Sequence, residues 1–463
     1  MTNTLRDSAA AHNAAPKNIG GLGSATAMVH RLHTIAGIFV APLLLIAALS
    51  GFFYALAPSL ENVVYQRELS ATSGLPAHPL AAQIEAAQSA RPDLTFSSVQ
   101  VSDDSTATTR VLFDDPTLPS SSYRQAVFVD PGSLEVTGEL VQYGSSRALP
   151  LRSWISEGHR RLWLGEPGRI YSEMAASWLG ILALAGAWMW WTQRRKKSGS
   201  SARARAKKWH STVGIWLLPG FLFLTISGLT WSMFAGTNIG ELRAQLGWVT
   251  PKPEVAISTA MPEMADMASM AGMSANHHME AMAWSGADIS QADTVYSTAR
   301  EAGLTGVLEL TGPADANSAW VASEMRQAWK MENDAVSING ATGVIVDTVN
   351  FADWPLAAQL TAWIIQLHMG TLFGLLNQIV MTLIALGLFA IICWGYLMWW
   401  RRGKAGKPGR LPAAGQWRKA SPFALAAVGI FTLAYAIMAP LFGISLIVFV
   451  VLDAIIQRVR SLS

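Results

Sequence analysis

The chain has 463 residues, of which 51% are hydrophobic and 14% charged, and its formal net charge is +3. Soluble domains carry about a quarter charged residues, so the composition excludes an ordinary soluble protein and indicates a membrane protein. Cys393 is the only cysteine, which excludes an intrachain disulfide, a zinc–thiolate site and a cysteine-ligated iron–sulfur cluster.

Four apolar runs are long enough to cross a membrane, since each approaches or exceeds the ~20 residues that a transmembrane helix needs. They cover residues 35–56, 171–191, 211–234 and 361–400. A further apolar run at 422–452 contains Pro440 and Gly443, and it predicts a hairpin that turns at Ala439-Pro440 within segment 421–457. A single long span is the alternative.

The basic residues predict the orientation of these spans. Segment 194–208 carries eight Lys and Arg residues, and segment 401–419 carries seven more. The positive-inside rule places both segments in the cytoplasm, including the connecting loops 198–208 and 405–420. The N-terminal segment 1–24, which we expect to be disordered, and the C-terminus are then cytoplasmic as well.

A comparison of the chain with itself reveals two copies of one unit. The pattern His-x3-Gly begins at His33 and at His210, and Ser-Gly follows seventeen residues after each histidine. The pattern Trp-Ile-x3-His ends at His159 and at His368, and Trp-Trp follows thirty-one residues after each histidine. These matched offsets predict two tandem repeats.

The repeats, 25–197 and 209–404, are parallel because two spans return each copy to the same orientation. Parallel repeats are related by a pseudo-two-fold axis along the membrane normal. Such an axis sets His33 opposite His210, and His159 opposite His368.

Paired histidines at equal depth predict haem. Two imidazoles projecting across a bundle axis supply both axial ligands of a six-coordinate haem iron, an arrangement suited to electron transfer. A glycine four or six residues after each histidine would let the macrocycle approach the backbone. Arg31, Arg160 and Arg161 adjoin the histidines and are candidate propionate partners. The alternative is four interfacial histidines satisfied by lipid headgroups or backbone carbonyls; His30, which has no counterpart in the second repeat, is a weaker candidate.

The length of the fourth span complicates this prediction. Thirty-one helical residues after His368 rise about 46 Å, more than the roughly 30 Å of the hydrocarbon core. Helix tilt, or a break at Pro167-Gly168, would shorten the distance between the two histidine pairs.

The segments between the paired spans, 57–157 and 235–360, each read as a helix followed by strands. The predicted helices are 80–90 and 293–302. The predicted strands are 97–101, 108–113, 126–129 and 135–140 in the first segment, and 306–310, 319–323, 335–338 and 344–349 in the second.

The segments "RQAVFVDPGSLEVTGEL", "ENDAVSINGATGVIVDTV", "FADWPLAAQLTAWIIQLHMGTLFGLLNQ" and "GYLMWWRR" resemble the PepSY-associated transmembrane family over residues 25–457. The resemblance implies a mainly α-helical membrane protein with four long transmembrane helices in two tandem repeats, a C-terminal hairpin and two small α+β PepSY-like extracytoplasmic domains. It implies a bacterial inner-membrane protein with two haem b groups on the four paired histidines, which moves electrons outward to a metal complex such as a ferric siderophore.

One segment departs from the family pattern. Residues 261–284 are rich in methionine and histidine, with soft thioether and imidazole groups that suit copper. A flexible linker is the alternative, because Pro, Asp, Ser and Gly interleave the methionines. The candidate copper ligands are Met261, Met264, Met267, Met270, Met273, His277 and His278.

These features favour an oxidoreductase that reduces an extracytoplasmic ferric chelate or cupric ion. No Gly-x-Gly-x-x-Gly follows a predicted strand, so the electron donor is expected to be a separate cytoplasmic flavoprotein or membrane quinol. Membrane lipid is a partner and nucleic acid is not expected to be one. The alternatives are a metal or siderophore transporter and a PepSY-type regulatory protein; against transport, the spans lack the buried Asp, Glu or Lys that such sites usually need.

Overall fold

The structure is a computed structural model that describes residues 21–194, 199–257, 288–315, 317–402, 412 and 421–462. The helices are α1 Gly21–Phe39, α2 Ala41–Val64, α3 Gln66–Leu69, α4 Leu80–Ala90, α5 Pro150–Arg161, α6 Glu166–Gln193, α7 Ala202–Trp216, α8 Leu218–Leu229, α9 Phe234–Gln245, α10 Ala292–Glu301, α11 Leu356–His368, α12 Gly374–Trp400, α13 Pro422–Met438 and α14 Pro440–Leu462. The strands are β1 Thr95–Val101, β2 Thr109–Asp114, β3 Tyr123–Val129, β4 Val136–Tyr143, β5 Leu308–Thr311, β6 Trp320–Glu324, β7 Ala335–Ile338 and β8 Ile345–Val349.

Within the described residues, four helices are long and apolar enough to cross a membrane. They are α2, α6, α12 and the segment Pro440–Val459 of α14, and the bent pair α7–α8 makes a fifth if it is one span. The contacts divide the chain into two compact units. The helical unit falls within Met1–Leu45, Met174–Leu222 and Gly387–Ser463, and the sheet unit within Ile46–Glu173 and Phe223–Leu386.

Two of the predicted spans are broken near a proline. Pro42 follows the break between α1 and α2, and Pro219 follows the break between α7 and α8, where the helix bends by 59°. Proline lacks the amide proton of a helical hydrogen bond and clashes with the carbonyl four residues earlier. For Pro42 that carbonyl belongs to Ile38, and it accepts a hydrogen bond from the Tyr396 hydroxyl at 2.8 Å.

The fourth predicted span, 361–400, is also two helices. The chain leaves α11 at His368 and enters α12 at Gly374, through Gly370 and Gly374 at φ +74° and +53°. Gly165, at φ +66°, lies in the matching break between α5 and α6, just before the predicted position at Pro167-Gly168. His159 and His368 therefore lie at the ends of short helices, α5 and α11. The distance of about 46 Å expected between His368 and Trp399 assumed one unbroken helix and no longer applies.

The strands form one antiparallel sheet in the order β4-β3-β2-β1-β5-β6-β7-β8. The strands of 57–157 and those of 235–360 join where β1 pairs with β5, with Val99 opposite Leu310. The helix-and-strand plan predicted for each segment is present, and the strands of the two segments form one continuous eight-stranded sheet. Strand edges left unpaired in each segment alone explain the fusion, because an unpaired edge exposes backbone groups that another strand can satisfy.

The core of the sheet unit follows the two-residue period of its strands. In β3, Val127 and Val129 face the side covered by α4 and α10, whereas Ala126 and Phe128 face the opposite side. Both helices contribute fully buried residues to one shared cluster. The rigid sheet thus supports the loops and helices that lead back toward α5 and α11.

At the C-terminus, α13 and α14 flank a break at Ala439 and pack on each other. A Cβ atom on Gly443 would lie 2.8 Å from the Cβ of Ala436, and the ring of Phe442 lies 4.9 Å from that of Tyr435. Contacts between residues seven apart require the chain to reverse, because seven residues of one straight helix span about 10 Å.

Candidate metal centres

The first histidine pair, His33 and His210, lies in the helical unit on α1 and α7. The ring centres are 6.3 Å apart and the ring planes are at 89°. A metal–imidazole bond is about 2.0 Å long and the ligating nitrogen lies roughly 1.1 Å from the ring centre, so rings on opposite sides of one metal have centres about 6.2 Å apart. The observed separation fits two imidazoles that share one metal ion.

The hydrogen bonds of this pair leave the ligating nitrogens available. Nδ1 of His210 lies 2.9 Å from the carbonyl oxygen of Ile391, which can only accept, so Nδ1 carries the proton and Nε2 has a free lone pair. The matching contact of His33 is with the Leu182 carbonyl. It falls outside hydrogen-bond geometry, and the buried Nδ1 of His33 has no other partner among the described residues. A metal-ligating histidine normally donates the N–H of its other ring nitrogen to an acceptor of this kind.

Two glycines lie against these rings. A Cβ atom on Gly186 would lie 3.4 Å from Cε1 of His33, and one on Gly395 would lie 3.7 Å from Cε1 of His210. Both are on the partner helices, α6 and α12, at positions that match in the repeat. A Cβ on Gly37 would meet nothing within 4 Å, so this side of α1 is open beside the ring.

The second histidine pair, His159 and His368, lies in the sheet unit at the ends of α5 and α11. The two rings lie close enough to interact electrostatically. Nδ1 of His159 is 2.9 Å from the Ser50 hydroxyl, and Nδ1 of His368 is 2.6 Å from the Ser227 hydroxyl. The Ser-Gly pairs of the repeat therefore serve to hold the second pair of histidines.

The serines fix which ring nitrogen is protonated. A hydroxyl has one proton, and Ser227 donates it to the carbonyl of Phe223 at 2.7 Å, while Ser50 donates to Ile46 at 2.8 Å. Each hydroxyl must then accept from the histidine, so Nδ1 is protonated and Nε2 is free in both rings. The second pair presents the same unprotonated nitrogen as His210.

Matching aromatic rings flank the second pair. Tyr54 stacks on His159 with ring centres 6.1 Å apart, and Trp231 meets His368 edge-on at 5.7 Å. The two aromatic residues occupy equivalent places in the repeat. A Cβ on Gly51 would lie 3.2 Å from Cε1 of His159, so a side chain here would press on the ring.

The residues present fit a bis-histidine haem at the first pair and carry the matching donor chemistry at the second. The glycines that touch the rings are, however, not those expected from the sequence. Gly165 and Gly374 have positive φ angles, so they allow the breaks between helices, where a side chain would be strained.

The three candidate propionate partners have carboxylate partners within the chain. Arg31 pairs with Asp453 of α14, and Arg160 and Arg161 pair with Glu157 at 2.6 and 3.7 Å. The predicted copper segment lies outside the described residues. Among the described residues, no group of three or more His, Cys, Asp or Glu side chains is arranged to hold a metal ion.

Comparison of the two halves of the sequence identified the histidines and the Ser-Gly pairs. It missed four residues that contact the histidine rings: Gly186, Gly395, Tyr54 and Trp231. Gly186 and Gly395 lie at one fixed distance before the two Trp-Trp pairs, so the repeat itself would have revealed them. Tyr54 and Trp231 differ in residue type, and only alignment of the two repeats would have matched them.

The profile of the PepSY-associated TM region matches residues 30–402, well over half of the chain. The chain therefore belongs to this family and is a multi-pass membrane protein. No curated protein matches the chain.

Proposed function

We propose that the protein binds haem at the two histidine pairs and transfers electrons across the bacterial inner membrane to a metal complex outside. Bound haem with two histidine ligands supplies one-electron transfer and leaves no open position for oxygen. The protein residues position the ligand nitrogens, fix their protonation and exclude competing ligands. The acceptor is a ferric chelate or a cupric ion, and the reductant comes from a cytoplasmic flavoprotein or from quinol.

The observation that carries this proposal is the 6.3 Å separation of the perpendicular rings of His33 and His210. Two imidazoles on apolar helices of a membrane protein are costly unless they have partners. One metal ion between the two rings would account for their separation.

The orientation rests on charge. The basic segments 194–208 and 401–419 favour the cytoplasm, which places the N-terminus inside and segments 57–157 and 235–360 outside. The second histidine pair closely follows these two segments in the chain and is then the pair from which electrons leave for the acceptor.

The test is re-oxidation of the purified protein in detergent. The protein is reduced under anaerobic conditions and mixed with ferric citrate or with cupric ion while the haem absorbance is followed. Rapid re-oxidation is expected in the wild type. His368→Ala should lose it, whereas Ser177→Ala, whose hydroxyl bonds the Met174 carbonyl of its own helix, should retain it.

Two results would contradict the proposal. Protein that purifies without a haem absorbance, even after haem is supplied, would favour a regulatory membrane protein. Protein in liposomes that moves the intact metal chelate across the bilayer, at a rate unchanged in His368→Ala, would favour a transporter.

A further inference from the structure

A cavity of about 430 Å³ lies in the sheet unit between the sheet and the α11–α12 connection. Four arginines line it: Arg110 on β2, Arg147 after β4, Arg152 on α5 and Arg326 after β6. We call it the arginine pocket. Its volume is within the range of small-molecule sites.

One carboxylate lies among these four cations in the lining, and Glu309, outside the lining, acts electrostatically on Arg147. Glu61 lies in the wall of the pocket and pairs with Arg152 at 2.9 Å, and it also accepts the backbone N–H of Leu149. Both partners of this ion pair are buried. Among the described residues, Glu61 is the only acidic residue in the lining.

The other three arginines have no carboxylate partner within the described residues. Arg110 donates to the Gln142 amide at 3.1 Å and lies over the ring of Phe128. Nε of Arg147 is buried without a hydrogen-bond partner. Arg326 forms no ion pair with any described residue.

Arginine side chains that are shielded from water and lack an anion partner destabilise the folded protein. Burial lowers the pKa of Arg147 to about 10 and shifts the pKa values of Arg110 and Arg326 down as well. These shifts report desolvation of a charge, which destabilises a protein unless the charge is compensated. Guanidinium groups bind planar oxyanions through two parallel hydrogen bonds, and a carboxylate matches that geometry.

The pocket lies beside the second histidine pair. Arg152 and Glu61 act electrostatically on Tyr54, the residue that stacks on His159. Met369 and Thr371, which follow His368 in the chain, line the opposite wall. A carboxylate in the pocket would therefore sit next to the proposed outer redox centre.

We propose that the arginine pocket is a carboxylate-binding site. The carboxylates come either from a soluble polycarboxylate metal chelate or from the propionates of a haem on the second histidine pair. The inference rests in part on the proposed function, since both sources relate to it, but the pocket itself is defined by arginines that the haem ligands do not include.

The first arm of the experiment measures binding of citrate and ferric citrate to the full-length protein in detergent by calorimetry. Arg147→Gln and Arg326→Gln should each raise the Kd about 10-fold or more, because a charge-assisted bidentate contact is lost. Arg91→Gln is the matched control, since Arg91 pairs with Asp93 and Glu139 away from the pocket. Trimethyl citrate, which lacks the charges, should not bind.

The second arm compares haem with its dimethyl ester, whose propionates are uncharged, in binding to haem-free protein. If the pocket holds propionates, the wild type prefers haem over the ester and Arg147→Gln and Arg326→Gln lose that preference. If it holds a soluble chelate, the preference is unchanged and only the citrate arm responds. A protein that binds no haem would refute the proposed function, and the citrate arm would still decide the inference.

Thermal unfolding separates binding from structure. Removing an uncompensated cation should leave the melting temperature unchanged or higher. A lower melting temperature in Arg326→Gln would mean that the guanidinium has an internal structural partner and would overturn the inference. Unchanged behaviour of both variants in both arms would overturn it as well.

Discussion

The hydroxyl of Ser227 should control how strongly His368 binds haem. It accepts the Nδ1 proton at 2.6 Å and so keeps Nε2 free to ligate. In Ser227→Ala the ring can place its proton on either nitrogen and lacks its acceptor. Loss of such a contact to a metal ligand lowers metal affinity about 10- to 100-fold.

The expected result is that one haem of Ser227→Ala is lost to a haem scavenger about 10- to 100-fold faster, while the other is unaffected. The midpoint potential of the affected haem should rise, because a ring that donates a hydrogen bond is a more basic ligand and stabilises the ferric state. Ser50→Ala should act in the same direction on His159, whose contact is 2.9 Å long.

Ser227→Thr keeps the hydroxyl and is expected to behave like the wild type. Ser177→Ala removes a buried hydroxyl that bonds a backbone carbonyl and controls for loss of packing. Unchanged haem loss and unchanged potential in Ser227→Ala would refute the assignment of the serine, and with it the protonation derived for His368.

Three further predictions test other parts of the account. Gly186→Leu should displace His33 and cost one haem in the absorbance spectrum, because its Cβ would already contact the ring at 3.4 Å and the rest of the leucine side chain needs further space. Gly429→Leu, where a Cβ would meet nothing within 4 Å, should keep both haems. A topology reporter fused after Lys197 should indicate a cytoplasmic position, and one inserted near Ser120 should indicate an extracytoplasmic position. The reverse result would mean that the direction of electron flow is opposite to the one proposed. Deletion of residues 261–282 should weaken Cu(I) binding and slow copper reduction while both haem signals remain, since thioethers favour Cu(I); equal rates for copper and a ferric chelate would make the segment a spacer.

Much of the fold was predictable because local patterns decide it. The helix predicted at 80–90 is present as Leu80–Ala90, and the strand predicted at 335–338 as Ala335–Ile338. Pairing of β1 with β5 was not predictable, because the two strands lie far apart along the chain and nothing in their sequences specifies the partner. The break near Pro42 and the bend near Pro219 were missed because uninterrupted hydrophobicity conceals a break in the backbone.

The residues of the candidate site were also predictable only in part. The four histidines were found because they recur at fixed offsets in both repeats. The arginine pocket was not, because its members come from four separate elements with no common spacing and meet only through the tertiary fold. Arg110 on β2 and Arg326 after β6, for example, line one pocket although β1 and β5 lie between their strands in the sheet.

The central claim is that each histidine pair holds one haem, and the haem content of single variants tests it most directly. Haem per chain is measured as the pyridine complex in the wild type, His210→Ala and His368→Ala, with the oxidised spectra recorded alongside. The account predicts that each variant loses one of two haems, and that the two variants lose different spectral components. Full haem content in both variants, or no haem in the wild type after reconstitution, would contradict it.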